Sequence, residues 1–494
     1  MAGQARQIEL KSPLSESKTK RAAQFLNRVP FCLIPGIAHP GSKLQSALGW
    51  QAAHAESFST SPHISVLAKF SSEKTFTQQL ASLESQSYSS FTLYVLHLAK
   101  DAKEVKKLVS SSEIDLKAIS VPDFSNTLSL FREVSSELEG EYLLYLGDNS
   151  LLHPFSLFLF ARELQDPDLE AIYTNAIQFS NDWKSADSYL SKQGPDAYSL
   201  LAKNWYGENF LFSRKILDEV LQSEDLSILT KEGFFWMLAS YANAKSSTQD
   251  MNSIRHIPLG LLGLMRESQQ SIQEDWEQDC QKVLVYLSGI RGVSLSAANV
   301  NDGGEKFVTP IGAGGEGQIQ VVVPFYNEAA MTIKCIKALE EQSVAEDLFV
   351  CLVDNGSSET ELNKVREALS DSSLNSKLIS IQGYFNFAKL NNIASREGTS
   401  PYILFLNNDV TLENNTTIEE LRNWCSLDDV GLVGGTLRYP TGSIQHAGII
   451  FAPVRPANVQ LREQSAELFR EVDGISFAMA LTKRAVFELS LIHI

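Results

Sequence analysis

The sequence predicts an α/β chain made of two tandem domains, each built on an open sheet. Three observations carry the prediction. Apolar runs at Ile64–Leu67 and Val321–Val323 read as strands, and each leads into a helix with apolar residues at helical spacing: Phe76, Leu80 and Leu83 in one, Ile333, Ile336 and Leu339 in the other. The halves also repeat one another. Leu83-Glu84-Ser85-Gln86-Ser87 matches Leu339-Glu340-Glu341-Gln342-Ser343, Tyr142-Leu-Leu-Tyr-Leu146 matches Tyr402-Ile-Leu-Phe-Leu406, and Asp168-Leu-Glu-Ala-Ile172 matches Asp429-Val-Gly-Leu-Val433. Finally, three apolar strands of the second half stop abruptly at polar residues. A length of 494 residues accommodates two or three domains, and 44% apolar with 20% charged residues is ordinary for globular protein.

In chain order, residues 1–60 form a tail rich in Ser, Ala and Gln, expected to be partly disordered. Residues 61–290 form the first domain, where Phe210, Phe212, Phe234, Phe235 and Trp236 read as core. Residues 291–317 read as a linker. It contains Gly312-Ala-Gly314-Gly-Glu-Gly317, the spacing of a dinucleotide fingerprint, but that fingerprint must follow a strand and open a helix, whereas this run precedes the strand at Val321. A flexible connector is the expected role. Residues 318–494 form the second domain.

Composition excludes several classes. The formal net charge of −17 argues against a nucleic-acid footprint. Five scattered cysteines without a Cys-x-x-Cys pair argue against a zinc cluster or disulfide framework, and fit a reducing, cytoplasmic compartment. Apolar stretches such as Ile257–Met265 are far shorter than a membrane helix, and the amino terminus lacks a signal-peptide layout. Peripheral association with the inner face of the cytoplasmic membrane stays compatible with all of this.

The chemistry concentrates in the second domain. Gln320-Val-Val-Val-Pro324-Phe-Tyr326-Asn327, Leu352-Val-Asp354-Asn355-Gly356-Ser357 and Ile403-Leu-Phe-Leu-Asn407-Asn408-Asp409 are strands ending in groups able to hold a nucleotide or a metal ion. In open α/β sheets ligands collect beyond the carboxyl ends of the strands, so three such ends imply one site. Asp354, ionised at the end of a buried strand, can accept hydrogen bonds from a base N–H or a ribose hydroxyl; Asp-Asn-Gly-Ser is equally good turn chemistry.

These segments resemble the nucleotide-sugar half of family 2 glycosyltransferases, which have the GT-A fold, and among them the bacterial rhamnosyltransferase-like enzymes of surface-polysaccharide synthesis. Tyr384-Phe-Asn386-Phe-Ala-Lys-Leu-Asn391-Asn392 resembles the family's Asn-Phe-Ser-x-x-Asn-Asn segment, and Tyr439-Pro-Thr-Gly442-Ser-Ile-Gln445-His446-Ala-Gly448 its Gly-x-Ile-Gln-His-Ala-Gly segment. The resemblance implies a nucleotide-sugar donor, a glycan or polyprenyl-linked acceptor, and a divalent cation, Mg²⁺ or Mn²⁺. It places Pro324, Tyr326, Asn327, Asp354, Asn355, Asn386, Asn392 and Asn408 around the nucleotide, and Asp409 with Asn407 on the metal. Asn386, Asn391 and Asn392 read equally well as helix caps. His446, in an expected hairpin loop, is a contact for acceptor or sugar. Lys483 and Arg484 read as a solvated helix start, with phosphate contact as the alternative.

The family's general base lies in an Asp-rich stretch beyond Met479–Glu488, and Leu489-Ser-Leu-Ile-His-Ile494 does not continue that pattern. The second domain is therefore expected to be truncated and to lack its base. Overlaying the halves pairs Pro324, Tyr326 and Asn327 with Ala68, Phe70 and Ser71, Asp354 with Leu98, and Asn407-Asn408-Asp409 with Gly147-Asp148-Asn149. On this overlay the first domain is a degenerate transferase domain, kept for assembly or acceptor binding, with Asp148 the remaining candidate for a cation. The alternative for the whole chain is a non-catalytic scaffold. A sugar nucleotidyltransferase ranks last, because Pro324-Phe-Tyr-Asn-Glu is not a Gly-rich phosphate loop.

Overall fold

The computed structural model describes residues 61–490, apart from 181–182, 193, 197, 203, 224–229, 246–250, 266–272, 292–293, 300–305, 311–316, 452–455 and 459–469. The tail at 1–60 and most of the Gly-rich run at 312–317 therefore lie outside the described residues. The chain divides into two compact units, Met1–Leu287 and Ser288–Ile494. No helix among the described residues is long and apolar enough to cross a membrane.

In the first unit the strands are β1 (Ile64–Lys69), β2 (Phe91–Leu98), β3 (Leu116–Val121), β4 (Tyr142–Leu146), β5 (Ser150–Leu152), β6 (Ala171–Phe179), β7 (Ala186–Leu190), β8 (Leu211–Ser213) and β9 (Ile254–Met265). They form one sheet in the order β3-β2-β1-β4-β8-β6-β9-β5, with β7 on β6. Strands β3, β2, β1 and β4 are parallel, and β8 turns antiparallel against β4. The five aromatics read as core, Phe210, Phe212, Phe234, Phe235 and Trp236, are all fully buried, with Phe234 stacked on Phe131 at 4.9 Å.

Strands β10 (Leu295–Asn299) and β11 (Lys306–Pro310) pair as an antiparallel hairpin. The hairpin lies within the expected linker at 291–317, and the Gly-rich run expected to be a flexible connector lies almost wholly outside the described residues. Alternating small and apolar residues on both sides of the polar stretch at 300–305 supply enough strand character to pair.

In the second unit the strands are β12 (Ile319–Phe325), β13 (Leu348–Asp354), β14 (Asn375–Ser380), β15 (Tyr402–Leu406), β16 (Leu432–Gly434), β17 (Leu437–Arg438), β18 (Ile444–His446), β19 (Ile449–Phe451), β20 (Pro456–Asn458) and β21 (Met479–Lys483). The main sheet runs β14-β13-β12-β15-β21-β16, with β17-β18 and β19-β20 as small separate pairs. Its first four strands are parallel and β21 is antiparallel, the layout of the first unit again. The α/β class read from the sequence holds, and the parallel strands of both units are followed by an antiparallel one.

Register fixes which positions correspond. Ile64 pairs with Phe91 and Tyr142, while Ile319 pairs with Leu348 and Tyr402. Counting along each strand, Pro324 corresponds to Lys69, Asp354 to His97, and Asn407-Asn408-Asp409 to Gly147-Asp148-Asn149. The overlay of Pro324 on Ala68 and of Asp354 on Leu98 is thus one residue out. For Pro324 the cause is the turn after the first strand. Two residues separate Phe70 from the helix Glu73–Glu84, but three separate Phe325 from the helix Ala329–Glu340. The repeated Leu-Glu-x-Gln-Ser lies beyond that turn and carries its offset back into the strand. For Asp354 it is a further added residue before the second strand, five residues separating Gln342 from Leu348 against four separating Gln86 from Phe91.

The repeat itself has a packing cause. Gln86 donates to His153 O at 2.9 Å and accepts from Leu157 N at 3.1 Å; Gln342 donates to Asn414 O at 3.0 Å and accepts from Ile418 N at 3.2 Å. Each buried amide satisfies the backbone of the loop beyond the fourth strand, where unpaired groups would be costly. A second shared tie is the arginine that opens the helix after the antiparallel strand. Arg214 donates to Leu138 O at 2.6 Å, and Arg484 to Ser400 O at 2.6 Å, Ser395 O at 2.8 Å and Gln320 Oε1 at 2.5 Å.

Because β21 runs antiparallel, Lys483 and Arg484 lie at the amino edge of the parallel strands, away from the tips. Lys483 Nζ donates to Leu427 O at 2.5 Å. Neither residue is a phosphate contact or a solvated helix start; both are anchors. Replacing Arg484 with Ala leaves two carbonyls and an amide unpaired, and should lower the second unit's stability by about 2–4 kcal/mol in urea unfolding, with Lys giving incomplete rescue because it lacks the planar fork.

Burial holds the His153 imidazole neutral, pushing its pKa down to about 3. Its folded pKa lies below the unfolded value of about 6.5, so this stability is complete above that pH and is lost as acid is added, by up to about 1.4 kcal/mol per pH unit. Urea unfolding across a pH series should show a shallower acid dependence in His153→Asn than in the wild type.

Candidate functional site

The tips of β13 and β15 flank the tip of β12. Asp354 pairs with Phe325 on one side and Ser380 on the other, at the last position of its ladders. It is only 1% exposed, and its Oδ1 accepts from Ser357 N at 2.8 Å. The carboxylate therefore does cap its turn, as Asp-Asn-Gly-Ser chemistry allows. Asn355 donates its N–H to Phe325 O at 3.0 Å, and its buried Oδ1 has no partner. Gly356 has φ +87°, and a Cβ there would sit 3.1 Å from Gln382 Oε1, so the turn lies directly against the loop after β14. In that loop Tyr384 is fully exposed and Phe385 largely so.

At β12, Pro324 is half-buried and Tyr326 is 58% exposed. Asn327 and Glu328 adopt left-handed φ values of 50° and 45°, the extra residue of this turn. Left-handed backbone disfavours residues other than glycine, so it needs support. Asn327 N donates to Ser357 Oγ at 2.7 Å, Asn327 Oδ1 accepts from Ser358 N at 2.9 Å, and Ala329 N donates to Glu361 Oε2 at 2.9 Å. These bonds tie the β12 turn to the β13 turn.

At β15, Asn407 N donates to Ala478 O at 2.9 Å and Asn408 Nδ2 donates to Thr332 Oγ1 at 3.0 Å. Asp409 is exposed. It lies near the helix Ala329–Glu340, for its charge adds to burial in pushing the Cys335 thiol up to about 12. Among the described residues no group of three or more His, Cys, Asp or Glu is placed to hold a metal ion.

Other expected site residues serve the scaffold in part. Asn386 caps the helix Phe387–Ser395, accepting from Lys389 N at 2.8 Å. Asn391 is fully buried and donates to Phe387 O at 2.8 Å. Asn392, one residue on, is half-buried. His446 corrects an expectation: it lies on β18, not in the hairpin loop, which is formed by Tyr439–Ser443. It is buried, and its Nε2 accepts from Ser476 N at 2.9 Å. Sequence reasoning missed Thr332, Ser357 and Glu361, which position the tips. Ser357 was visible in the Asp-Asn-Gly-Ser turn; Thr332 and Glu361 are ordinary helix residues with no local signal.

A parallel sheet whose strand tips gather carboxylates and amides at one edge is an open α/β arrangement, in which ligands collect beyond the carboxyl ends of the strands. More particularly, residues 320–490 match the model of the glycosyl transferase family 2. The O-antigen biosynthesis protein RfbC of Myxococcus xanthus is 24% identical over 391 residues, which are 77% of this chain and 29% of that protein. The uncharacterized protein y4gI of Sinorhizobium fredii is 24% identical over 132 residues, 27% of this chain and 14% of that protein. The chain thus spans less than a third of these relatives. Among solved structures, Staphylococcus aureus TarS 1–349 in complex with UDP-GlcNAc is 14% identical with a TM-score of 0.35, covering 46% of this chain and 66% of that one. The mannosyltransferase PcManGT of Pyrobaculum calidifontis in complex with GDP-Man and Mn²⁺ is 19% identical with a TM-score of 0.28, covering 36% and 48%.

The cap at Asp354 separates its structural use from any other. Asp354→Asn keeps an oxygen for Ser357 N and should alter stability by less than about 1 kcal/mol, whereas Asp354→Leu leaves that N–H unpaired and should cost about 1–3 kcal/mol in urea unfolding.

Proposed function

We propose that the second unit transfers a sugar from a nucleoside-diphosphate sugar to a hydroxyl of a glycan or polyprenyl-linked acceptor, with inversion, in the synthesis of a bacterial surface polysaccharide. The observation that carries this is the placing of Asp354 and Asp409 at the tips of β13 and β15, on either side of β12 and at one edge of the sheet. Together with the family match, it supports one crevice for a nucleoside diphosphate.

Asp354 accepts a hydrogen bond from a base N–H or a ribose hydroxyl, a bond strengthened by its charge and burial. Tyr326, exposed beside it, offers a face to the base. Asn355 has a buried oxygen in want of a donor, which a ligand hydroxyl or N–H supplies. Asp409 with Asn407 would hold Mg²⁺ or Mn²⁺. The fit is one exposed carboxylate and one neutral amide, so most of the ligand set must come from diphosphate oxygens and water, which is how such ions commonly bind. The ion, when bound, neutralises the charge of the departing diphosphate. Pro324, Asn327, Asn386, Asn392 and Asn408 are assigned to the nucleotide, and His446 to the acceptor or sugar. The work is assigned to the inner face of the cytoplasmic membrane, where a peripheral enzyme meets lipid-linked acceptors.

The base that takes the acceptor's proton is not among these tip residues. Cation-dependent nucleotide binding is expected of this polypeptide. The second reading, a non-catalytic scaffold, draws on the internal hydrogen bonds of Asn327, Asn386 and Asn408. Isothermal titration with UDP, GDP and dTDP, with and without Mn²⁺, separates the two. At least one nucleotide should bind more tightly with Mn²⁺, and Asp409→Ala should weaken that binding about tenfold or more, the worth of one charge-assisted contact. Failure of all three to bind, or affinity indifferent to Asp409→Ala, favours the scaffold.

A further inference from the structure

The first unit places a lysine beside the carboxylate at its strand tips. Its Gly147-Asp148-Asn149 turn stands at the register position of Asn407-Asn408-Asp409, so a carboxylate remains at the edge. Strand β1 ends in Lys69, the register position of Pro324. The Lys69 ammonium lies 3.5 Å from Asp148 Oδ2 and 4.7 Å from the centre of the Phe124 ring. The side chain thus bridges the β3 and β4 tips, held by an ion pair on one side and an aromatic face on the other.

A second pair completes the cluster. The Glu208 carboxylate packs so closely over Gly147 that a Cβ there would lie 1.8 Å from Glu208 Oε1. Glycine at this position is thus a consequence of that carboxylate. Glu208 Oε2 is 2.7 Å from Lys231 Nζ, and Lys231 is also 3.8 Å from Glu232 Oε1. Burial raises the Glu208 pKa against the pull of Lys231, while Glu208, Glu232 and Asp148 hold Lys231 above its ordinary value in spite of its own burial. The turn is pinned as well: Gly147 N donates to Asn209 Oδ1 at 2.9 Å and Gly147 O accepts from Gln79 Nε2 at 2.5 Å.

These residues do not fit a divalent cation. Such an ion needs six or more oxygens at about 2.0–2.6 Å. Here an ammonium already stands at ion-pair distance from Asp148, and a second ammonium takes Glu208. Each ammonium occupies a side of its carboxylate that an incoming ion would need. We infer that Lys69 is the resident cation of the first unit's strand tips, doing for Asp148 what a divalent ion does for a tip carboxylate, and that this unit takes no metal.

The test counts Mn²⁺ bound to the full chain by electron paramagnetic resonance, in an Asp409→Asn background that removes the proposed ligand of the second unit. Asp409→Asn should bind no Mn²⁺. Adding Lys69→Met should create one site, and adding Asp148→Asn to that pair should remove it. Lys69→Gln repeats this arm with a polar side chain if the Met variant does not fold. Mn²⁺ bound by Asp409→Asn and lost with Asp148→Asn would overturn the inference, as would folded Lys69 variants that gain no site. A wild-type chain that binds no Mn²⁺ at all counts against the cation in the second unit and leaves the Lys69 arm intact.

Discussion

Gln320 is a polar side chain in the first turn of a strand that is otherwise Ile, Val, Val and Val, and it is fully buried. Its Nε2 donates to Ala394 O at 2.7 Å and its Oε1 accepts from Arg484 at 2.5 Å. The rest of the second sheet depends on that arrangement. Both faces of β12 are apolar and covered, so hydrophobic burial alone distinguishes registers poorly. A slip would strand a buried amide and a guanidinium without partners, at several kcal/mol. With β12 pinned, parallel pairing sets the heights of β13 and β15. A two-residue shift of either strand would displace its tip by about 6.6 Å.

The first unit uses a smaller version of the same device. Ser65, fully buried at the register position of Gln320, donates its hydroxyl to Glu139 O in the loop that enters β4. Arg214 grips that loop at Leu138 O, as Arg484 grips the loop entering β15 at Ser400 O. In both units, then, buried polar groups at the amino edge hold the central strands in step, while the buried glutamines Gln86 and Gln342 hold the loop beyond the fourth strand.

Those facts explain what could be read from the chain and what could not. The strands ending at Asp354 and just before Asp409 were legible because a short apolar run that stops abruptly at polar residues marks the end of a buried strand. The repeat was legible because Gln86 and Gln342 do the same work at the same distance from the helix end. The turn after the first strand was not, since one added residue in left-handed backbone leaves no compositional trace when Asn and Glu adopt it. Nor could sequence assign Asn327, Asn386 and Asn408 to internal hydrogen bonds, because an Asn beside a helix start serves a cap or a ligand equally well. The position of His446 on β18 and of Arg484 at the amino edge follows from strand direction, which is a property of the assembled sheet.

Scaffold and tips are therefore separable. The ties that set register lie at the amino edge or in loops beyond the strands, so residues at the carboxyl edge can differ between the units without moving the strands. What the tips cannot escape is charge. Asp409 is exposed, and water screens it until a ligand arrives. In the first unit Glu208 and Asp148 are drawn in against the sheet, where an unpaired carboxylate would cost far more. Lys69 and Lys231 stand beside those carboxylates as counter-ions supplied by the chain itself.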